Sequence, residues 1–172
     1  MSDQPLIVCV DVDYRETCAL AAAVWFRGWS ASESEGEATA TIHEIAPYEP
    51  GEFYRRELPC LLNVISRGPS PDRIIVDGYV WLDTDRPGLG AHLHSALAGS
   101  IPVIGVAKTR FVSATCAIPV TRGESQSPLF VTAAGVDVND AAEWVKSMHG
   151  PFRLPTMLKR VDHLARNGHL AK

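Results

Sequence analysis

The period of the hydrophobic positions changes several times along this chain, and each change marks an element. Leu6–Tyr14 begins as a continuous apolar run and passes into alternation, Val10-Asp11-Val12-Asp13, which predicts a first strand with Asp11 and Asp13 on one face. The alanines of Thr17–Phe26 favour helix. The short connection from Tyr14 and the Val24-Trp25-Phe26 end favour a hairpin partner, and a second strand is expected. Ser30–Glu37 is polar turn material, and Ala38–Ala46 alternates through Thr39, Thr41, His43 and Ile45 as a third strand, completing an antiparallel meander. The spacing of Tyr54, Leu58, Leu61, Leu62 and Ile65 predicts a helix over roughly Glu52–Arg67, with Pro59 expected to bend it beside Glu57.

Arg73–Val80 carries three consecutive β-branched residues, Ile74, Ile75 and Val76, then Asp77 and Gly78. Such a run reads as a strand buried on both faces, with Asp77 at the C-terminal end where open α/β sheets place their ligands. Taken alone, Asp77 could equally cap a strand-to-loop turn. The loop Trp81–Gly88 leads to a helix over about Leu89–Ala98, and Pro102–Thr109 forms a second buried strand with Lys108 at its C-terminal end. Weaker strands are expected at Ala117–Val120 and Leu129–Thr132, then a helix at Val138–Met148. A last helix runs from Thr156, its expected N-cap, to Gly168. Three antiparallel strands followed by helix, parallel strand, helix and strand is the order of a ribonuclease-H-like α/β fold: a mixed sheet flanked by helices, in one domain spanning residues 1–172.

Composition changes this picture little. At 46% hydrophobic and 21% charged residues the chain is ordinary globular protein. No apolar run is long enough for a bilayer, and Met1–Pro5 has no basic signal-peptide n-region, so no membrane partner and a cytoplasmic location are expected. The four cysteines form no Cys-x-x-Cys pair, and three of them lie among apolar neighbours and read as small core residues. A net charge of −4 argues mildly against nucleic acid, but Pro151–Lys172 holds five cations against the single acid Asp162. That end is a phosphate-neutralising surface or a solvated helix face.

The candidate chemistry is acidic. Glu57 borders the apolar stripe of its helix, where a carboxylate facing a sheet needs a cation, a metal or water, or else snorkels to the edge. Asp162 borders its own stripe between Leu158 and Ala165. In a ribonuclease-H-like layout Asp11, Glu57, Asp77 and Asp162 converge, and such an oxygen-rich set suits Mg²⁺ or Mn²⁺. His92 and His94 point to different helix faces and are a poor metal pair; His92 reads better as a structural residue than as a ligand. Tyr48, between Pro47 and Pro50, is held out of regular structure, for surface packing or for stacking.

Several segments, in this order and spacing, resemble the endonuclease V family: Val10-Asp11-Val12, Pro47-Tyr48-Glu49-Pro50-Gly51, Arg56-Glu57-Leu58-Pro59, Val76-Asp77-Gly78, Gly88-Leu89-Gly90-Ala91-His92-Leu93 and Ile104-Gly105-Val106-Ala107-Lys108-Thr109. The resemblance runs from Asp11 to about Thr109, with a weaker continuation to Asp162. It implies a Mg²⁺-dependent endonuclease acting near a deaminated adenine in DNA or RNA, with Asp11, Glu57, Asp77 and Lys108 catalytic. Metal would be held by Asp11, Glu57 and Asp77, with Asp162 as a fourth position. Substrate would meet Tyr48, Pro50 and Gly51 of a strand-separating loop, Gly78, and on charge grounds Arg160. Trp81-Leu82-Asp83-Thr84 stands where the family carries Gly-x-x-His-Pro, and Pro155-Thr156-Met157-Leu158-Lys159 where it carries Pro-Glu-Pro-Thr-Arg. The family usually has a helical segment before the first strand, whereas this sequence starts almost at that strand. Two alternatives stay open: a binding module of the same fold without useful turnover, and a nuclease for branched or RNA-containing substrates.

Overall fold

The computed structural model describes residues 3–43, 47, 49–50 and 54–168. Its elements in order are β1 (Leu6–Tyr14), β2 (Ala19–Arg27), β3 (Gly36–Ile42), α1 (Tyr54–Ile65), β4 (Arg73–Asp77), α2 (Leu89–Ala96), β5 (Val103–Ala107), β6 (Ile118–Val120), β7 (Leu129–Ala134), α3 (Val138–Ser147) and α4 (Thr156–Asn167). The strands form one sheet in the order β3-β2-β1-β4-β5-β7-β6. β1, β2 and β3 are the expected antiparallel meander; β4 joins β1 in parallel and β5 joins β4 in parallel. The mixed sheet with helices on both faces is the ribonuclease-H-like architecture expected from the element order.

Strand alternation divides the core in two. Val8, Val10, Ile74 and Val76 point to the side covered by α1 and α2, whereas Ile7, Cys9, Ile75, Ile104 and Val106 point to α3 and α4. β2 has eight buried residues in a row, so its alanine-rich sequence reflects a central strand packed on both faces rather than a helix.

The differences from expectation lie at the ends of elements. β3 begins at Gly36 and stops at Ile42, and the rest of the expected strand, from Glu44 to Ala46, falls outside the described residues. α1 passes through Pro59 without a break. The N-cap of α4 is Pro155 rather than Thr156, which is the first residue of the helix and whose hydroxyl is hydrogen-bonded to His149 Nδ1 at 2.9 Å. Gly168 does end α4, but at φ −64 it acts by close packing, since a Cβ there would lie 2.7 Å from Leu20. Cys9, Cys18 and Cys60 are buried thiols and Cys116 is exposed, none of them in a disulfide.

Two glycines shape the mouth of the sheet. Gly78 has φ +118, a conformation that L side chains rarely adopt. Gly105, which faces Val76 in the register of β5 with β4, leaves room for the Gly78 carbonyl: a Cβ on Gly105 would sit 2.5 Å from that oxygen and 2.8 Å from Thr132 Oγ1. Thr132 Oγ1 in turn accepts from the Val80 N–H at 2.8 Å. Gly105→Ala is therefore expected to destabilise the protein by about 1–3 kcal/mol, the scale of overpacking, as read by urea unfolding.

Candidate functional site

The parallel register Val10↔Val76 makes Asp11 and Asp77 the next residues along two neighbouring strands, both directed to the α4 side. Asp162 approaches from α4, which lies against β1 and β2, and its carboxyl is within hydrogen-bonding reach of Asp11. Glu57 arrives from α1 on the other face. Four carboxylates scattered through the sequence thus border adjoining recesses beside Asp11, within β1, and Asp77, at the C-terminal end of β4. A recess of about 290 Å³ is lined by Asp11, Asp77, Lys108 and Asp162 over an apolar floor of Leu154, Leu158 and Val161. A second of about 170 Å³ joins Asp11, Asp77 and Glu57.

The electrostatics follow from this crowding. Burial, then the charge of Asp77, raises the Asp11 carboxyl from 3.8 to about 7. Burial, then Asp11 and Asp77, raises Glu57 from 4.5 to about 8. Burial also raises Asp77, opposed by the Lys108 ammonium 3.7 Å from its Oδ2. Asp77 is 46% exposed, so water tempers its shift more than those of the other two. Near neutral pH the cluster holds protons that a cation could replace. Its donor set is oxygen only, the chemistry that suits Mg²⁺ or Mn²⁺. Among the described residues no three His, Cys, Asp or Glu side chains close around one point as a ready-made cage.

Asp13, on the same face as Asp11, is drawn away: its carboxylate accepts from Arg15 Nε at 2.8 Å, and Arg15 Nη2 also donates to Ala165 O at 2.8 Å and Arg166 O at 3.0 Å. Sequence alone did not single out Arg15, which ties the end of β1 to the end of α4. The signal was its position two residues from an acid on a turning strand. Asp162 has two surroundings. It lines the recess and also pairs with Arg166, one turn on, at 3.3 Å. Arg160 is exposed but pairs with Glu37 at the start of β3, so this cation of the C-terminal helix is internally compensated.

Beside the carboxylates a third recess, about 520 Å³, is lined by Tyr54, Glu57, Asp77, Gly78, Tyr79, Leu82 and Pro87–Leu89. His92 stacks on Tyr54 with ring centroids 3.5 Å apart and planes at 13°, and burial lowers its pKa. It is thus a packing residue of this wall, as its sequence position suggested. Leu82 and Pro87 come from the loop that departs from the family pattern. In that loop Asp83 accepts from the Asp85 and Arg86 N–H groups, each at 2.9 Å. Pro50 is exposed, and Tyr48 and Gly51 lie outside the described residues.

A seven-stranded mixed sheet with acidic side chains on its two central strands defines a ribonuclease-H-like protein with an acidic site. The endonuclease V family model matches residues 1–136, and the chain belongs to that family. Streptomyces avermitilis endonuclease V is 32% identical over 151 residues, covering 76% of this chain; the chain spans 65% of that relative's length. Streptomyces coelicolor endonuclease V is 31% identical over 181 residues, 91% of this chain and 76% of the relative. The crystal structure of the S. avermitilis protein superposes with a TM-score of 0.78 at 27% identity, over 96% of this chain and 85% of that one. A Ciona intestinalis endonuclease V in complex with a 23mer DNA containing an inosine followed by a ribo-adenosine shares the fold. It has a TM-score of 0.78 at 18% identity, over 96% and 86% of the two chains.

Proposed function

We propose that this protein is a divalent-metal-dependent endonuclease that hydrolyses a phosphodiester bond near a deaminated adenine in DNA or RNA. The observation that carries the reading is the adjacency of Asp11 and Asp77 on parallel strands, with Lys108 3.7 Å from Asp77. Family membership and the inosine-containing DNA bound by the Ciona protein point the same way. Asp11, Glu57 and Asp77 would hold Mg²⁺ or Mn²⁺, with Asp162 completing the set. The ion supplies a Lewis acid for phosphoryl oxygens and a water activated for attack.

The chain's own residues do the rest. Water attacks phosphorus and the bond to the 3′ oxygen breaks, leaving 3′-hydroxyl and 5′-phosphate ends. The Lys108 ammonium, held by Asp77, offsets the charge that grows on the phosphate. The recess over Gly78 would offer a flipped base an aromatic wall at Tyr54. By the family resemblance, Tyr48, Pro50 and Gly51 would act where the strands are separated, the Tyr48 ring offering a stacking partner to an unpaired base. Arg160 binds backbone phosphate by exchanging its Glu37 partner. The protein works in the cytoplasm as one domain.

The test is cleavage of matched DNA and RNA strands with and without a single inosine. Preferential cutting beside inosine supports the specificity, and equal cutting of both strands refutes it. The incomplete closure of the carboxylates favours one second reading, a binding module of the same fold, which would retain inosine-containing strands without cutting them. Asp162→Ala is expected to raise the Mg²⁺ concentration for half-maximal activity on the order of tenfold, measured by metal titration of the cleavage rate. An unchanged requirement would leave Asp162 as the helix partner of Arg166 alone.

A further inference from the structure

We propose that Arg153 is a positioning residue that fixes the backbone of Lys108, with Arg122 holding Arg153 in place. The catalytic consequence rests on the nuclease reading above, but the geometry stands apart from it. Antiparallel pairing of β5 with β7 ends at Ala107↔Phe130, and parallel pairing with β4 ends at Asp77↔Val106. Lys108 therefore stands just beyond the last rung on either side. Pro128, one residue before β7, has no N–H with which to extend the ladder.

Arg153 takes over that task. Its Nε donates to Ser127 O at 2.9 Å, and its Nη2 donates to Pro128 O at 2.9 Å and to Lys108 O. One planar guanidinium thus bridges the end of β5 to the segment entering β7. A lysine head rides on a flexible four-carbon stem, so aiming it requires a fixed backbone. Here the aim is visible in the 3.7 Å separation between Lys108 Nζ and Asp77 Oδ2.

The loop that carries Arg153 is clamped in turn. Arg122, 6% exposed, donates from Nη1 to Phe152 O at 2.8 Å and Arg153 O at 3.2 Å. Its Nη2 donates to Met148 O and to Gly150 O at 3.1 Å. These acceptors are all carbonyls, arranged around a buried cation that would be costly to leave unsatisfied. Gly123, at φ +59, permits the approach: a Cβ there would lie 2.2 Å from Pro151 O. The same loop then delivers Leu154 into the recess and starts α4, which carries Asp162. One loop therefore sets the position of Lys108 on one side of the site and Asp162 on the other.

The test compares Arg153→Gln in the native and Lys108→Ala backgrounds, by single-turnover cleavage of an inosine-containing strand. In the native background the rate is expected to fall about 10- to 100-fold, the scale of a small misplacement, with binding of the strand in EDTA unchanged. In the Lys108→Ala background Arg153→Gln should add no further loss, because the two residues act as a unit. Equal losses in both backgrounds, or full activity in the native one, would overturn the proposal. Arg153→Lys, which keeps charge and stem but not the fork, should show a weaker form of the pattern and serves if Arg153→Gln does not fold.

A readout independent of cleavage is the NMR signal of ¹³C-methylated Lys108. It should shift on Asp77→Asn in the native background and no longer do so with Arg153→Gln, whereas an unaltered response refutes the positioning role. If the native protein cuts nothing, the nuclease reading fails, and this signal alone decides the role of Arg153.

Discussion

Asp77→Asn is expected to lower metal-supported cleavage by about 10²–10³-fold or more, the scale at which losing one charge-stabilising group acts in an active site. Affinity for the nucleic acid should persist or rise. Asp77 is nearly half exposed at the mouth between β4 and β5, so asparagine fits without a cavity. It removes one negative charge from a site that a phosphate must approach, and it removes a ligand charge from the cation. It also frees Lys108 from its 3.7 Å partner. Gel-shift affinity in EDTA and single-turnover rates in Mg²⁺ separate the two effects. A variant that turns over near-normally would remove Asp77 from the site.

The second large effect concerns stability. Asp11 and Glu57 titrate at about 7 and about 8, above their ordinary 3.8 and 4.5. The folded protein therefore binds protons that the unfolded chain has already lost. The stabilisation this confers is complete below about pH 4 and is lost as pH rises through about 7 to 8. The metal-free protein is expected to lose on the order of a few kcal/mol across that interval. Saturating Mg²⁺ or Mn²⁺ should flatten the loss, because a bound ion replaces the protons, adding about 2.7 kcal/mol at a hundred times its dissociation constant. Asp77→Asn, with one charge fewer beside Asp11 and Glu57, should be more stable than the native protein in EDTA near pH 8. Thermal unfolding in EDTA and in metal across this pH range checks all three statements. A metal-free midpoint that climbs from pH 5 to 8 would contradict them.

The sheet was legible because its central strands are unambiguous. Ile74-Ile75-Val76, bounded by turn residues, reads as a strand buried on both faces, and the alternation in β1 puts Asp11 and Asp13 on one face. The Ala19–Ala23 run was harder, since propensity favours helix and only the short turn after Tyr14 argued otherwise; burial on both faces decides it. Asp11, Asp77, Glu57 and Asp162 could be argued together because the element order of a ribonuclease-H-like sheet brings β1, the end of β4 and two helix stripe borders to one place. What sequence could not show was the fate of the cations. Arg160, Arg166, Arg153 and Arg15 read as a basic surface or as unremarked residues. They are bound to Glu37, to Asp162 and to backbone carbonyls, over as many as 151 residues of chain separation. Long side chains choose partners in space, and spacing carries no record of that choice. The same holds for the Thr156 hydroxyl, which pairs with His149.

The central claim is that the carboxylates of β1 and β4 support hydrolysis only with a divalent cation. Its most direct measurement is single-turnover cleavage of an end-labelled strand containing one inosine, near neutral pH, in Mg²⁺ and in excess EDTA. The prediction is a single cut leaving 3′-hydroxyl and 5′-phosphate ends in Mg²⁺ and an intact strand in EDTA. Equal cutting in EDTA, or an intact strand in both, would contradict it.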